Sequence, residues 1–332
     1  MQNNVLKNTK VLVTGGAGFI GSNLVEKLLE LDNYVVCLDN FSTGSPDNLE
    51  EFIHNPNFEL ISGDIRDLET CRNACENIKI VFHQAALGSI PRSIDNPKET
   101  NDTNIGGFLN MLLAAKEKNV ERFIYASSSS VYGDNERLPK IENETGVQLS
   151  PYAITKYVNE LYANNFHYLY GTKCIGLRYF NVFGPKQNLQ SNYASVIPKF
   201  IKAILNNENP VIYGDGSQTR DFTYVDNVVN ANIAAATTDN PEVFKKIFNI
   251  ACGHQISLNK LIEYLQEIVS EYFNKNIVIE PEYKPPRKGD IKHSLASIEN
   301  AKDYLNYKPH KNIKEDLQKT FLWFVKNYNK NV

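Results

Sequence analysis

No stretch of the 332 residues approaches the roughly 18 consecutive apolar residues that a membrane helix requires, so no membrane partner is expected. Cysteine is scarce. The five present (Cys37, Cys71, Cys75, Cys174, Cys252) are an odd count in a long chain, which argues against a disulfide scaffold. Cys71 and Cys75 stand four apart, but the six histidines form no cluster beside them, and no metal site is expected. An excess of positive charge is also missing. Lys and Arg total 35 against 38 Asp and Glu, a net charge of −3, which excludes a nucleic-acid binder of the basic-patch kind. The opening residues, Met1 to Lys7, show neither a signal-peptide pattern nor an anchor, and a cytoplasmic protein is the expectation. With 42% hydrophobic and 22% charged residues, the composition is that of an ordinary globular chain of about two domains.

What is present first is an alternation of strand and helix patterns. Short apolar runs at 10–14, 34–39, 58–61, 78–83, 123–126 and 174–179 are nearly continuous, as expected of parallel strands buried on both faces. Helical spacing over 23–31, 106–118 and 151–169 supplies the crossovers. Beyond Gly184-Pro185 the alternation breaks, then resumes with a helix over 228–236 and a strand over 247–250. The expected fold is α/β, a doubly wound parallel sheet of Rossmann type, with a smaller C-terminal substrate-binding domain. The larger domain takes 1–185 with 223–254, and the smaller takes 186–222 with 255–332.

The first motif with chemistry is Thr14-Gly15-Gly16-Ala17-Gly18-Phe19-Ile20-Gly21, directly after a strand and opening a helix. Gly15 allows the tight turn, Gly18 the close approach of a pyrophosphate, and Gly21 close helix–strand packing. Asp39 ends the second strand, 21 residues after Gly18. A carboxylate there accepts from the adenosine ribose and repels a 2′-phosphate, which favours NAD over NADP. The second motif is Tyr152-Ala153-Ile154-Thr155-Lys156, whose tyrosine and lysine share a helix face. An ammonium beside a phenol, together with a positive nicotinamide ring, is expected to lower the pKa of Tyr152 toward phenolate.

With these motifs, and with Gly63-Asp64-Ile65-Arg66-Asp67, His83-Gln84-Ala85-Ala86, the serines 127–130 before Val131-Tyr132-Gly133, and Arg178 to Pro185, the chain resembles the extended short-chain dehydrogenase/reductase superfamily. The resemblance runs from residue 10 to past 290. Registering on Val-Tyr-Gly, it implies Ser128, Tyr152 and Lys156 as catalytic residues. For NAD it implies contacts from Gly15, Gly18, Phe19, Ile20, Asp39, Asn40, Asp64, Ile65, Gln84, Ala85, Ala86, Asn104, Tyr152, Lys156, Tyr179 and Val182. The larger domain is then the NAD-binding one and the smaller binds a UDP-sugar.

Within the superfamily, 4,6-dehydratases carry an acidic pair where Ser129 and Ser130 stand, and decarboxylases a glutamate, so the pattern is most similar to the UDP-sugar 4-epimerases. That similarity implies Arg220 and Arg287 on the diphosphate, Asp290 on the uridine ribose, Asn181 at the phosphate and sugar end, and Ala194, Val196 and Tyr213 around the uracil. Gly88, Ser89, Ser93, Ser128 and Ser129 would lie near the sugar, and Ser294, where tyrosine is common, leaves room for a 2-acetamido group. The implied activity is interconversion of UDP-GlcNAc and UDP-GalNAc, with the plain UDP-hexoses as a further pair, by transient oxidation at C4. Three other readings stay open: a UDP-glucuronate 4-epimerase using Arg92 on the carboxylate, a net reductase, and a catalytically silent NAD-binding sensor. The family also implies a homodimer through helices at about 101–119 and 150–170.

Overall fold

β-Branched and aromatic residues fill seven short runs of this chain, and in the computed structural model, which describes residues 6–189, 194–286 and 292–328, they form one sheet. Its strands are β1 (Lys10–Thr14), β2 (Tyr34–Asp39), β3 (Phe58–Ser62), β4 (Ile80–His83), β5 (Arg122–Ser128), β6 (Cys174–Tyr179) and β7 (Ile247–Ile250). The order across the sheet is β3-β2-β1-β4-β5-β6-β7, and every pairing is parallel. The chain builds outward from β1 to β3, then crosses back to lay β4 on the other side of β1. That reversal leaves a crevice at the carboxyl ends of β1 and β4, where ligands of such sheets bind.

Helices cover both faces. The ones that matter for the site are α1 (Phe19–Glu30), α2 (Phe108–Glu117), α3 (Pro151–Tyr170) and α4 (Val225–Thr237). The limits of α3 follow from local chemistry. Ser150 Oγ accepts from Ala153 N at 3.2 Å, Pro151 sits at the first position, and Gly171 closes the end in the left-handed region at φ 70°. The start of α1 is different, because Gly18 offers no side-chain cap and the first turn holds no acidic residue. Its amide groups are left for something else to accept.

Several expected boundaries shift by a few residues, three of them with a clear local cause. β4 begins at Ile80 rather than at residue 78, because Ile78 N is held by Cys75 O in a turn. β5 runs two residues past 126, since Ser127 and Ser128 pair with Arg178 and Tyr179 on β6. The helix expected from 106 starts earlier and is interrupted: Pro97–Asn101 passes through a π-helical turn, Asp102–Gly107, before α2. Within that turn Asn104 accepts from Leu87 N at 2.8 Å and donates to Leu87 O at 3.2 Å and Thr155 Oγ1 at 3.1 Å. Widened turns of this kind commonly re-aim a side chain at a functional site.

The later segments form small sheets beside the main one. Val211–Tyr213 pairs with Glu282–Lys284, and Thr219–Arg220 with Ile256–Ser257. Asp221 ties this part to the end of β7. It is fully buried and accepts from Cys252 N (2.9 Å), Gly253 N (3.1 Å) and Ala296 N (3.3 Å). Burial pushes its pKa up to about 7 against the pull of those amides. All five cysteines are free and buried, and burial pushes the Cys71 and Cys75 thiols up to about 12. No helix among the described residues is long and apolar enough to cross a membrane.

Candidate active site

The crevice deepens into a cavity of about 400 Å3. Its floor begins where β1 ends. Thr14 Oγ1 and His83 Nδ1 share a hydrogen bond of 2.9 Å, and Ala85 N donates to the same hydroxyl at 3.3 Å. Burial pushes the His83 imidazole down to about 3, so it is neutral here. Gly15 follows at φ +70°, so close to the next strand's exit that a Cβ would stand 2.7 Å from Ala85 N. Only glycine meets both demands at once. The turn then delivers the uncapped start of α1 to the cavity, where Gly18, Phe19 and Ile20 line the wall. Free amides and the positive end of a 12-residue helix make a seat for phosphate.

Asp39 lines the cavity beside the glycine turn. Its Oδ2 accepts from Ala17 N and its Oδ1 from Phe41 N, at 2.9 and 2.8 Å, leaving further lone pairs for ribose hydroxyls. Burial raises its pKa against the pull of those amides. Asn40, Ile65, Gln84, Ala85, Ala86, Tyr179 and Val182 also line the cavity. Gln84 and Tyr179 are fixed by a closed ring of hydrogen bonds: Tyr179 OH donates to Gln84 Oε1 (3.0 Å), Gln84 Nε2 to Asn232 Oδ1 (3.1 Å), and Asn232 Nδ2 to Tyr179 OH (2.9 Å). Two residues expected at the cofactor do not line the cavity. Asp64 is held by Arg66 and Asn40, with the Arg66 hydrogen bond keeping its pKa near 2, and its neighbours Gly63 and Ile65 do the lining. Asn104 braces the Leu87 loop from within, and Thr103 takes its place in the wall.

At the far end Ser128, Tyr152 and Lys156 converge, together with Gly88 and Asn181. Tyr152 is half-buried and hydrogen-bonded with Ser128. Lys156 is 3% exposed; its Nζ donates to Ala126 O at 2.8 Å and lies 5.9 Å from the centroid of the Tyr152 ring. The protein's own contribution to the phenol runs against the expected lowering, which also counts on the positive nicotinamide ring of bound NAD. Burial raises the Tyr152 pKa, and the Ser128 hydrogen bond only offsets part of that rise. Burial also lowers the Lys156 ammonium, to about 8, which leaves it charged at neutral pH.

The serine run separates by partner. Ser127 Oγ donates to Glu160 Oε1 at 2.5 Å, which leaves Ser128 as the hydroxyl at Tyr152. Ser129 opens a 3-10 turn to Tyr132 and does not line the cavity. Neither do Ser89 and Ser93, which serve a short helix: Ser89 Oγ accepts from Arg92 N, and Ser93 Oγ donates to Ile90 O.

The residues expected around the nucleotide form a separate group. Arg220 donates to Thr219 O at 2.9 Å and Lys292 O at 3.2 Å, while Ser294 N donates to Thr219 O at 3.1 Å, so Arg220 and Ser294 lie on adjacent segments. Tyr213 ends its strand, with its carbonyl accepting from Gln218 Nε2 at 2.6 Å. Val196 begins a helix and Ala194 precedes it. None of these five lines the cavity, and Arg287 and Asp290 lie outside the described residues.

Sequence reasoning missed Asn232, Glu160 and Arg178. An arginine inside a run read as buried on both faces was the available signal, since a charge there needs a partner.

The glycine turn, the uncapped helix start and the Asp39 carboxylate fit NAD. A cavity of this build at the switch point of a parallel sheet defines a Rossmann-type enzyme of the extended short-chain dehydrogenase/reductase kind. The chain belongs to the NAD dependent epimerase/dehydratase family, whose model matches residues 11–251. It is similar to the UDP-glucose 4-epimerase of Mycolicibacterium smegmatis, at 34% identity over 95% of this chain and 98% of that one. Among solved structures it is similar to a UDP-N-acetylglucosamine 4-epimerase from Methanobrevibacter ruminantium M1, in complex with UDP-N-acetylmuramic acid. That match has a TM-score of 0.90 and 42% identity over 97% of this chain and 99% of that one. A UDP-glucuronic acid 4-epimerase from Bacillus cereus, with UDP-glucuronic acid and NAD, gives a TM-score of 0.87 and 29% identity over 96% and 100%.

Proposed function

We propose that this protein is a UDP-N-acetylglucosamine 4-epimerase that interconverts UDP-GlcNAc and UDP-GalNAc. At the level of class the chain is an NAD-dependent UDP-sugar 4-epimerase, an isomerase. The observation that carries the finer reading is space at the sugar end. Gly88 forms the wall there, and a Cβ on it would meet nothing within 4 Å. A 2-acetamido group needs such room. The resemblance of Ser294 to small residues at the matching place, and the N-acetylated sugar in the Methanobrevibacter complex, support the same reading.

When bound, NAD supplies the reversible hydride acceptor that inversion at C4 requires. Tyr152 takes the proton of the 4-hydroxyl and later returns it, and Ser128 holds the reacting oxygen by hydrogen bonding. Lys156 keeps a positive charge beside the phenol. Arg220, with Arg287 and Asp290, holds the UDP portion in the part of the chain formed by 186–222 and 255–332, while 1–185 and 223–254 hold NAD. Small walls leave the 4-keto ring free to turn its other face.

The homodimer belongs to the same proposal. On α3, Ile154 is 49% exposed and Leu161 52%, seven residues apart on one face, and Ile94, on the short helix Ile90–Asp95 that packs against α3, is 60% exposed. The aromatic residues of that helix divide: Phe166 is buried and Tyr168 is 85% exposed.

A proton NMR time course with UDP-GlcNAc and no added NAD tests the reading. UDP-GalNAc should appear. Conversion of UDP-GlcA with UDP-GlcNAc untouched would place the protein with the glucuronate epimerases instead.

A further inference from the structure

Directly behind the reacting wall lies a buried ion pair that the mechanism above does not use. Glu160 and Arg178 are each 2% exposed. Arg178 Nε donates to Glu160 Oε1 at 2.8 Å and Nη2 to Oε2 at 2.7 Å. Ser127 Oγ adds a third donor at 2.5 Å. As a source of stability such a pair is a poor choice, because desolvation offsets its attraction and apolar side chains of similar volume often do as well. Its place suggests another use. Glu160 stands one turn beyond Lys156 and two beyond Tyr152, on one face of α3. Lys156 Nζ binds Ala126 O while Glu160 binds Ser127 Oγ, so two consecutive residues of β5 are tied to two consecutive turns of α3. The next residue of the strand is Ser128.

We propose that the Glu160–Arg178 pair is a positioning unit for the reacting wall: it locks β5 and α3 in the register that sets Ser128 against Tyr152, and it gives the Lys156 ammonium a buried negative neighbour. This rests on the assignment of Tyr152 and Lys156 as the reacting pair. The groups around Lys156 and Glu160 are Tyr152 on α3, His83 on β4, Tyr125 on β5 and Arg178 on β6. His83 is neutral, and burial raises the Tyr125 phenol well above its usual range. Burial lowers Lys156, and Glu160 is what opposes that fall. Arg178 in turn stabilises Glu160 from β6, where it lies opposite Ser127 in the sheet.

The test compares Glu160→Asp with Glu160→Gln in the full-length enzyme. Three quantities are read: the pH profile of kcat/KM, the titration of the Lys156 ε-carbon by 13C NMR, and thermal unfolding. Glu160→Asp keeps the charge and should keep the Lys156 titration in place. Glu160→Gln should move that titration lower by about one unit and reduce kcat by about 10–10²-fold through misplacement, with KM little changed. A Lys156 titration unmoved in Glu160→Gln overturns the proposal, whatever the loss in melting temperature. Glu160→Gln leaves Arg178 without its anion inside the protein. If it does not fold, the double variant Glu160→Gln/Arg178→Met removes both charges at similar volume. A folded double variant with unchanged kcat also overturns the proposal, and one with lowered kcat and a lowered Lys156 titration upholds it. The NMR titration needs no turnover, so it reports on Glu160 even if every UDP-sugar is left unreacted and the proposed reaction fails.

Discussion

Gly15 lies so close to Ala85 that a Cβ on the glycine would stand 2.7 Å from the Ala85 nitrogen. With φ at +70°, Gly15→Ala adds left-handed strain of about 1–2 kcal/mol to a clash with backbone that has nowhere to go. The variant should melt well below the wild type. Gly18→Ala should behave differently, because its Cβ would meet only Gly15 O, at 3.2 Å, on ordinary backbone. Its stability should hold while NAD content on purification falls by about 10-fold or more, one methyl group standing where the phosphates approach. Full NAD content in Gly18→Ala would remove Gly18 from the phosphate seat.

Tyr152→Phe should fold and retain NAD, since the phenol's hydrogen-bond partner Ser128 is half-buried and open to the cavity. Its kcat should drop by about 10²–10⁴-fold, the span of general acid–base catalysis. A rate within a few-fold of wild type would show that another group moves the proton.

Lys156 makes stability depend on pH in an unusual direction. Its pKa falls from 10.5 in the unfolded chain to about 8 in the fold. Below about 8 both states hold the proton and the buried ammonium costs about 3 kcal/mol. As pH rises from about 8 toward 10.5 the native state has released the proton first, and the cost is relieved. Lys156→Met should therefore be favoured over wild type most at neutral pH. Urea unfolding without added NAD at pH 7.5 and 9.5 should show that advantage shrinking by about 2 kcal/mol. An advantage that is constant across the two pH values would mean the ammonium is not desolvated as the fold implies.

Asp39 should set the choice between NAD and NADP. Asp39→Asn keeps one acceptor oxygen for the Ala17 and Phe41 amides, which now use one carboxylate oxygen each, and removes the charge that repels a 2′-phosphate. Discrimination against NADP, measured by competition for the protein stripped of cofactor, should fall by about 10-fold or more. Unchanged discrimination would assign the selection to other residues.

Much of this was legible in the chain. Strands β1, β2, β6 and β7 fall where their apolar runs lie, because a strand buried on both faces needs most of its residues to be apolar. The glycine turn was legible because its strand, its glycines and its helix follow one another within a few residues, although the approach of Ala85 that also demands Gly15 comes from the fold. The π-helical turn at Asp102–Gly107 was not, since it depends on Asn104 reaching Leu87 and Thr155, one of them 51 residues away. Asp64 and Asn104, neither of which lines the cavity, are each held by a partner distant in sequence, Asn40 and Leu87.

The four serines at 127–130 mark the division most clearly. By itself the sequence determined that a hydroxyl would end β5 beside a tyrosine and lysine one turn apart, because helical periodicity and strand order are local matters. The resemblance named Ser128 among the four, and the fold supplies the physical reason: Glu160 takes Ser127 and leaves Ser128 for the tyrosine. The protonation of the site was decided in the same way. A Tyr-x-x-x-Lys pair beside a nicotinamide ring reads as an activated phenol, and in the fold burial opposes that activation by raising the tyrosine and lowering the lysine. Desolvation depends on everything packed around a charge, and that is a property of the assembled structure alone.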